Sequence, residues 1–220
     1  MKNILVCIIL LSITNFISYS QTNIRVFAPN YKGKSASLNT QEDFISYKSK
    51  RIDQKIVDSL GYVTLQLSTK EAIKTTIEIG KNSAILYIDP KTKRYNVYFP
   101  STEINTEKIT GQTVELLYDS LPKDDLNGLI LELNYRIDDF LFGDSLRMQR
   151  LVMQDDSYKD SINAFKKILI KDYRPIKNKY FHEYIKYSVA SMEQLYLARG
   201  MMMNKIYFCL LYTSPSPRDA

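Results

Sequence analysis

The residues that could coordinate a metal are few and stand apart along the chain. His182 is the only histidine, and Glu183 follows it directly. A structural zinc site needs about four ligands at short spacings, and neither a cysteine nor a second histidine stands near this pair. We interpret His182 as an exposed helix residue, and the sequence predicts no metal site.

Adjacent carboxylates occur as pairs, which could suggest general acid–base catalysis. Two catalytic carboxylates must converge on one bond, whereas neighbouring residues on a helix point about 100° apart. Helix caps and solvated helix faces explain such pairs better. The pairs are Asp124-Asp125, Asp138-Asp139 and Asp155-Asp156.

Other chemical motifs are absent or incomplete. Met201, Met202 and Met203 could bind a soft metal through their thioethers, but without a nearby histidine or cysteine they fit an apolar packing patch better. The chain has no Gly-x-Ser-x-Gly nucleophile elbow and no glycine-rich phosphate loop. The sequence therefore predicts no catalytic residue, no cofactor-binding residue and no cofactor.

The positive charge of the chain is scattered. The formal net charge is +6 at pH 7, and the basic clusters at residues 48–51, 91–94 and 166–167 are flanked by acidic residues or by predicted strands. A nucleic-acid site needs a basic groove or a stacking motif. We interpret the clusters as solvated faces and turns, and we predict no nucleic-acid partner.

The elements that would position any site change character near residue 120. Before it, short segments alternate apolar and polar residues, which predicts strands with one wet face. Turn residues separate them, among them Gly33, the Gly80-Lys81-Asn82 hairpin turn and Asp89-Pro90. The predicted strands are residues 23–28, 44–48, 52–57, 62–67, 75–79, 84–88 and 95–99.

After Pro122 the apolar residues recur with a helical period. Asp124 or Asp125 is the expected N-cap of a first helix that stops at Gly143. Its predicted apolar stripe is Leu126, Ile130, Leu133, Ile137 and Leu141.

Two further helices follow in the pattern. Ser157, with Asp160 three residues later, resembles a capping box at the start of a second helix, which should end before Arg174-Pro175. A third stripe runs out at Gly200. The apolar stripes are Ile162, Phe165, Ile168 or Leu169, and Tyr173 in the second helix, and Phe181, Ile185, Val189, Met192 and Tyr196 in the third.

These patterns together predict the fold class. Half-buried strands and amphipathic helices must each cover an apolar face. We predict an α+β fold, an antiparallel β-sandwich followed by a small helical region. The predicted sandwich domain covers residues 21–120, and the amphipathic helical region covers residues 121–208.

The first twenty residues predict export. Lys2 precedes an apolar run at residues 4–17, and Ser18 and Ser20 stand three and one positions before Gln21, which is typical of a signal peptide over residues 1–20. A membrane anchor is the weaker interpretation, because the run is shorter than the roughly 20 residues that span a bilayer. We expect a periplasmic or outer-envelope protein that is not integral to the membrane after cleavage.

The last twelve residues are not typical of a protein. Residues 209–220 read CLLYTSPSPRDA, which resembles the in-frame translation of a transposase adapter used in DNA sequencing libraries. We interpret them as a non-native tail and expect the native part, truncated, to end near Phe208. Cys7 and Cys209 are the only cysteines. One falls in the leader and the other in this tail, so we expect neither a disulfide nor a lipoprotein anchor.

One resemblance is carried by four short segments: DSLGY at 58–62, AILYIDP at 84–90, YNVYFP at 95–100 and NYRIDDFL at 134–141. Together they resemble the N-terminal region of exported Bacteroidota proteins that carry a TlpA-type thioredoxin-like (redoxin) domain further along. The resemblance implies a sandwich and a helical region in front of a thiol-disulfide reductase domain. The Cys-x-x-Cys pair of that chemistry is absent, so no catalytic residue can be transferred.

Two functional hypotheses follow. In the first, the chain is the non-catalytic N-terminal portion of an exported envelope protein, accessory to a thioredoxin-like domain in cis that lies beyond Phe208. In the alternative, it is an exported binding or adhesion module. There, some of its 17 tyrosines lie exposed on strand faces and contact a glycan or a protein partner of the envelope.

Overall fold

The structure is a computed structural model that describes residues 21–42, 48–101, 112–144 and 156–197. It confirms the predicted α+β fold, with a β-sandwich followed by three helices. Several predictions fall outside the described residues. They concern the leader, residues 44–47 of the predicted strand 44–48, Met201, Met202 and Met203, Gly200 and the tail. The strands are β1 Gln21–Phe27, β2 Ser35–Gln41, β3 Ser49–Ile56, β4 Tyr62–Ser68, β5 Ile73–Ile79, β6 Asn82–Ile88, β7 Arg94–Tyr98 and β8 Leu117–Tyr118; the helices are α1 Leu126–Phe142, α2 Asp156–Asp172 and α3 Lys179–Leu197.

The strands form two four-stranded sheets. One has the order β4-β1-β7-β8 and the other β3-β2-β5-β6. All the pairs are antiparallel except β1 with β7, which run parallel. The last strand ends at Tyr118 and α1 begins at Leu126. The domain division at residue 120 stays a prediction.

The core lies between the two sheets, as the alternating pattern predicts. In β6, Ala84, Leu86 and Ile88 are buried, whereas Ile85 is exposed and Tyr87 is half-buried. The period of two therefore gives the strand one face toward the core and one outward. The largest fully buried side chains of the sandwich are Tyr95, Phe99, Ile24, Leu38, Leu65, Ile77, Ile79, Leu86 and Ile88.

Two turns between strands have glycines that hold left-handed backbone. Gly80, at φ 66°, joins β5 to β6 in the predicted hairpin. Gly61, at φ 90°, closes the turn before β4, where Asp58 accepts hydrogen bonds from the N–H groups of Leu60 and Tyr62. A Cβ at Gly61 would lie 2.7 Å from the Cα of Pro29. Both the φ angle and this close approach require glycine here.

The helix boundaries test the predicted caps. Asp125 is the N-cap of α1, and Gly143 follows its last residue. α2 already begins at Asp156, so the prediction that Ser157 caps it is wrong: Ser157 lies inside the helix, and its carbonyl oxygen accepts from the Ser161 hydroxyl one turn later. α2 ends at Asp172, before Pro175, as predicted.

The apolar stripes of the helices form a second core. Most predicted stripe residues are buried; Ile137 and Phe165 are partly buried. Of the two candidates in α2, Leu169 is buried and Ile168 is half exposed. Arg136 pairs with Asp172 at 2.7 Å, which ties α1 to α2. Within the described ranges, no helix is both long and apolar enough to cross a membrane.

Candidate functional site

The edge of β6 is covered only in part. The segment at residues 112–118 begins beside β6, where Ser83 donates to the carbonyl of Gln112 at 2.8 Å and its own carbonyl accepts from Val114 N–H at 2.7 Å. The segment then leaves this sheet, and Leu117 and Tyr118 pair with β7 in the other one. The segment therefore connects the two sheets, and its pairing with the β6 edge ends at Ser83.

A side-chain amide covers the same edge four residues later. Asn127, in the first turn of α1, accepts from the N–H of Tyr87 and donates to its C=O, both at 2.8 Å. Its oxygen also accepts from the Tyr118 hydroxyl at 3.2 Å, and its nitrogen donates to Asp125 at 3.0 Å. The carboxamide thus takes the place of a neighbouring strand's peptide group.

Ile85 lies between these two covered positions. Backbone groups alternate in direction along a strand, so the N–H and C=O of Ile85 face the same edge as those of Ser83 and Tyr87. The β5–β6 register is continuous through this region. Among the described residues, no group pairs with the N–H or C=O of Ile85. Within the described part of the chain, the edge is therefore open at Ile85.

A cleft of about 310 Å³ lies at this opening. We call it the edge cleft. Its walls come from β6, from the 112–118 segment and from α1, so residues distant in sequence meet there. The lining residues are Ile85, Tyr87, Thr113, Val114, Glu115, Leu116, Tyr118, Asn127, Ile130, Leu131 and Asn134.

The edge cleft combines an apolar wall with a few polar groups. Ile85 and Leu131 are more than one-third exposed. Glu115 is exposed and is the only charged residue of the lining. Burial raises the pKa of Tyr118, with Asp125 adding to the shift, and burial also raises the pKa of Tyr87. Both phenols therefore stay neutral at physiological pH, and the cleft carries the single negative charge of Glu115.

Asp125 fixes the start of α1 beside the edge cleft. Its Oδ1 accepts from the backbone N–H of Asn127 at 2.8 Å, as an N-cap should. The residue is 4% exposed, and no hydrogen-bond partner reaches its Oδ2 among the described residues. Burial raises its pKa, against the opposing effect of the hydrogen bonds from Asn127. The cap holds Asn127 in place at the cost of a desolvated carboxylate.

An aromatic cluster holds α3 against β6 on the outer face of the sheet. Tyr87 makes edge-on contacts with the rings of Tyr180 and Tyr184, at 6.0 and 6.1 Å between centroids. The Tyr184 hydroxyl donates to Asn134 of α1 at 3.1 Å. Tyr87 therefore packs against α3, and the Tyr184 hydrogen bond joins α3 to α1.

A second aromatic group lies on the outer face of the other sheet. Phe27 stands opposite Tyr62 of β4 and Tyr98 of β7, and its ring stacks on Tyr62 at 4.7 Å between centroids. The guanidinium of Arg25 lies 4.4 Å from the centre of the Tyr62 ring. All three rings are half-buried. We call Phe27, Tyr62 and Tyr98 the aromatic row.

The residues that could act in catalysis or bind a metal lie apart from one another in the structure. His182 lies exposed on α3, where its Nε2 is within hydrogen-bond distance of the carbonyl of Ile176. Asp138 and Asp139 are exposed on α1, and Asp155 lies outside the described residues. Among the carboxylates whose burial the structure describes, Asp125 is buried, whereas Asp124, like Asp138 and Asp139, is exposed. In the described part of the chain, no three His, Cys, Asp or Glu residues come together in a way that could hold a metal ion.

The basic clusters are solvated or paired. In the first, Lys48 forms an ion pair with Glu42 at 3.5 Å and Arg51 donates to Gln54. Lys166 of the third pairs with Glu193 at 3.0 Å. The basic residues of the second cluster, at residues 91–94, are exposed.

Sequence reasoning missed the residues that shape the edge cleft. An asparagine just after an N-cap is ordinary, and Ile85 reads as one more outward strand position. The relevant signal is the contact of Asn127 with Tyr87, which are 40 positions apart in the chain.

Comparisons of the chain with protein-family models, with curated proteins and with solved structures found no match. The chemistry of the described residues is therefore what supports a function for this protein. The resemblance to proteins with a TlpA-type domain stays a prediction.

Proposed function

We propose that the described part of the chain is a non-catalytic binding module of an exported protein and that the edge cleft receives its ligand. The observation that carries the proposal is that no described residue pairs with the N–H or C=O of Ile85, which lie at the edge cleft. A concave apolar site with a few convergent polar groups is typical of ligand binding.

The chemistry of the cleft favours binding over catalysis. Its phenols are held neutral by burial, and Asn127 already uses its amide for Tyr87, Tyr118 and Asp125. The lining includes no histidine, cysteine, serine or lysine, which are common nucleophiles and bases; its Thr113 and Glu115 are both exposed. What the cleft offers is shape, an open hydrogen-bonding position and one negative charge.

Filling the cleft tests this proposal. Leu131→Trp places a large ring at the cleft wall, and Tyr135→Trp is a matched control on the same helix, because Tyr135 is 62% exposed and outside the lining. Protein-observed NMR would follow titration with capped hexapeptides and with tri-N-acetylchitotriose. We expect shifts at the amides of Ile85 and Glu115 that Leu131→Trp abolishes and Tyr135→Trp keeps. Shifts that persist in Leu131→Trp, or none at millimolar probe, would contradict the proposal.

Glycan contact at the aromatic row is a second candidate. Neighbouring half-buried rings on three paired strands offer apolar surface together with two tyrosine hydroxyls, which suits an amphipathic ligand. Replacing Tyr98 with alanine should remove binding to a glycan array, whereas Tyr135→Ala should not. Equal retention by both variants would exclude the row as the glycan surface.

A further inference from the structure

The open position at Ile85 has the geometry of a missing strand. The 112–118 segment pairs with Ser83 through a peptide C=O and a peptide N–H, and the carboxamide of Asn127 makes the same two bonds with Tyr87. Ile85 offers the identical donor and acceptor between them. Peptide-like partners thus occupy two of three equivalent positions along one edge.

The size of the gap limits what can enter. Ser83 and Tyr87 are four residues apart in an extended strand, which is about 13 Å. Such a gap admits about three extended residues, while the rest of a longer chain would run out over the exposed Thr113 and Leu131.

The charge of the cleft selects among extended chains. Glu115 is the only charged residue of the lining, and it is exposed. The apolar residues Ile130 and Leu131 line the cleft from α1. A complementary chain carries an apolar side chain for this wall and a basic side chain beside Glu115.

We infer that the edge cleft binds an extended peptide segment of another protein by β-strand addition at Ile85, with a lysine or arginine of that segment beside Glu115. This inference rests on the proposed binding function and names its ligand class. One peptide C=O accepts from Ile85 N–H, and a following peptide N–H donates to Ile85 C=O. Strand addition gives affinity through the main chain and specificity through alternate side chains.

Peptide chemistry provides a test that leaves the protein unchanged. The probes are acetylated, amidated hexapeptides of alternating valine and threonine with one central lysine, and the same peptides N-methylated at the two central residues. N-methylation removes the donors that pair with Ile85. We expect the methylated peptides to bind at least tenfold more weakly, because a partly buried carbonyl then loses its partner. Equal affinity for both would overturn strand addition.

Protein variants test the two ends of the contact. Ile85→Pro deletes the outward N–H at an edge position that proline tolerates, and Ile85→Val is the control that keeps both backbone groups. We expect Ile85→Pro to bind the lysine peptide at least tenfold more weakly, with an unchanged circular dichroism spectrum. If Ile85→Pro fails to fold, Glu115→Lys serves instead: it should weaken the lysine peptide and favour a glutamate peptide by about fivefold. An unchanged preference would overturn the charge assignment.

A sugar arm separates this inference from the proposed function. Tri-N-acetylchitotriose carries amide groups but no peptide backbone. If it shifts the Ile85 amide and no peptide does, the cleft is a binding site and strand addition is wrong. If neither probe shifts the Ile85 amide, the proposed function fails together with the inference.

Discussion

Asn127 is the residue on which the β6 edge and the start of α1 both depend, so its removal should be costly. The side chain is 5% exposed and serves the N–H and C=O of Tyr87 and the hydroxyl of Tyr118. In Asn127→Ala these three groups lose their partner. Each unsatisfied buried group costs about 1–3 kcal/mol, and the higher helix propensity of alanine returns about 0.5 kcal/mol.

The expected net loss in the free energy of unfolding is about 3 kcal/mol, since Tyr87 is only half-buried and water can reach some of the vacated space. For a chain of this size that lowers the melting temperature by roughly 6–12 °C. Urea unfolding followed by circular dichroism measures the free energy. Amide hydrogen exchange should show faster exchange at Tyr87, with little change at Ala84.

The matched control lies two turns further along the same helix. Asn134 is exposed and accepts one hydrogen bond, from Tyr184, so Asn134→Ala should cost about 0.5 kcal/mol or less. A loss below about 1 kcal/mol in Asn127→Ala, or no greater than in Asn134→Ala, would refute the view that Asn127 stands in for a strand.

Three further predictions concern other parts of the chain. Because burial raises the pKa of Asp125, its contribution to stability is fully present below the ordinary value of about 4 and is lost as the pH rises through the folded-state pKa. Asp125→Asn keeps the cap, and wild type should lose stability relative to this variant as the pH rises above about 4. Parallel stability curves for the two proteins would exclude a raised pKa. Gly61→Ala should cost about 2–5 kcal/mol of stability, because Gly61 has φ 90° and an added Cβ would clash with Pro29. Gly33→Ala should cost only about 1–2 kcal/mol, because Gly33 has φ 74° but nothing lies within 4 Å of an added Cβ. Equal melting temperatures for the two variants would contradict the close contact at Gly61. The accessory role beside a thioredoxin-like domain predicts a strand–helix pattern with Cys-x-x-Cys when the intact gene is read past codon 208, and an early native stop codon would exclude it.

Local chemistry determined much of what the sequence predicted correctly. The Gly80 turn, the Asp125 cap and the stops at Gly143 and before Pro175 depend on residues that are close together in the chain. The alternation of Ala84, Leu86 and Ile88 with their neighbours is likewise a local pattern, and it gives the inward face of β6 directly. The prediction that Ser157 caps α2 is wrong because a serine followed three positions later by an acidic residue also occurs inside helices. Only the helix start at Asp156 distinguishes a cap from an internal position.

Tertiary structure alone decided the arrangement that makes the candidate site. The parallel pairing of β1 with β7, the crossing of the 112–118 segment between the sheets and the hydrogen bonds from Asn127 to Tyr87 all join residues far apart in sequence. An alternating pattern predicts which side chains of a strand face inward. It does not predict which strand pairs with it, because every extended backbone presents the same donors and acceptors. The sequence determined that Ile85 lies on an outward strand face; the packing of α1 and the departure of the 112–118 segment decided that its backbone stays open.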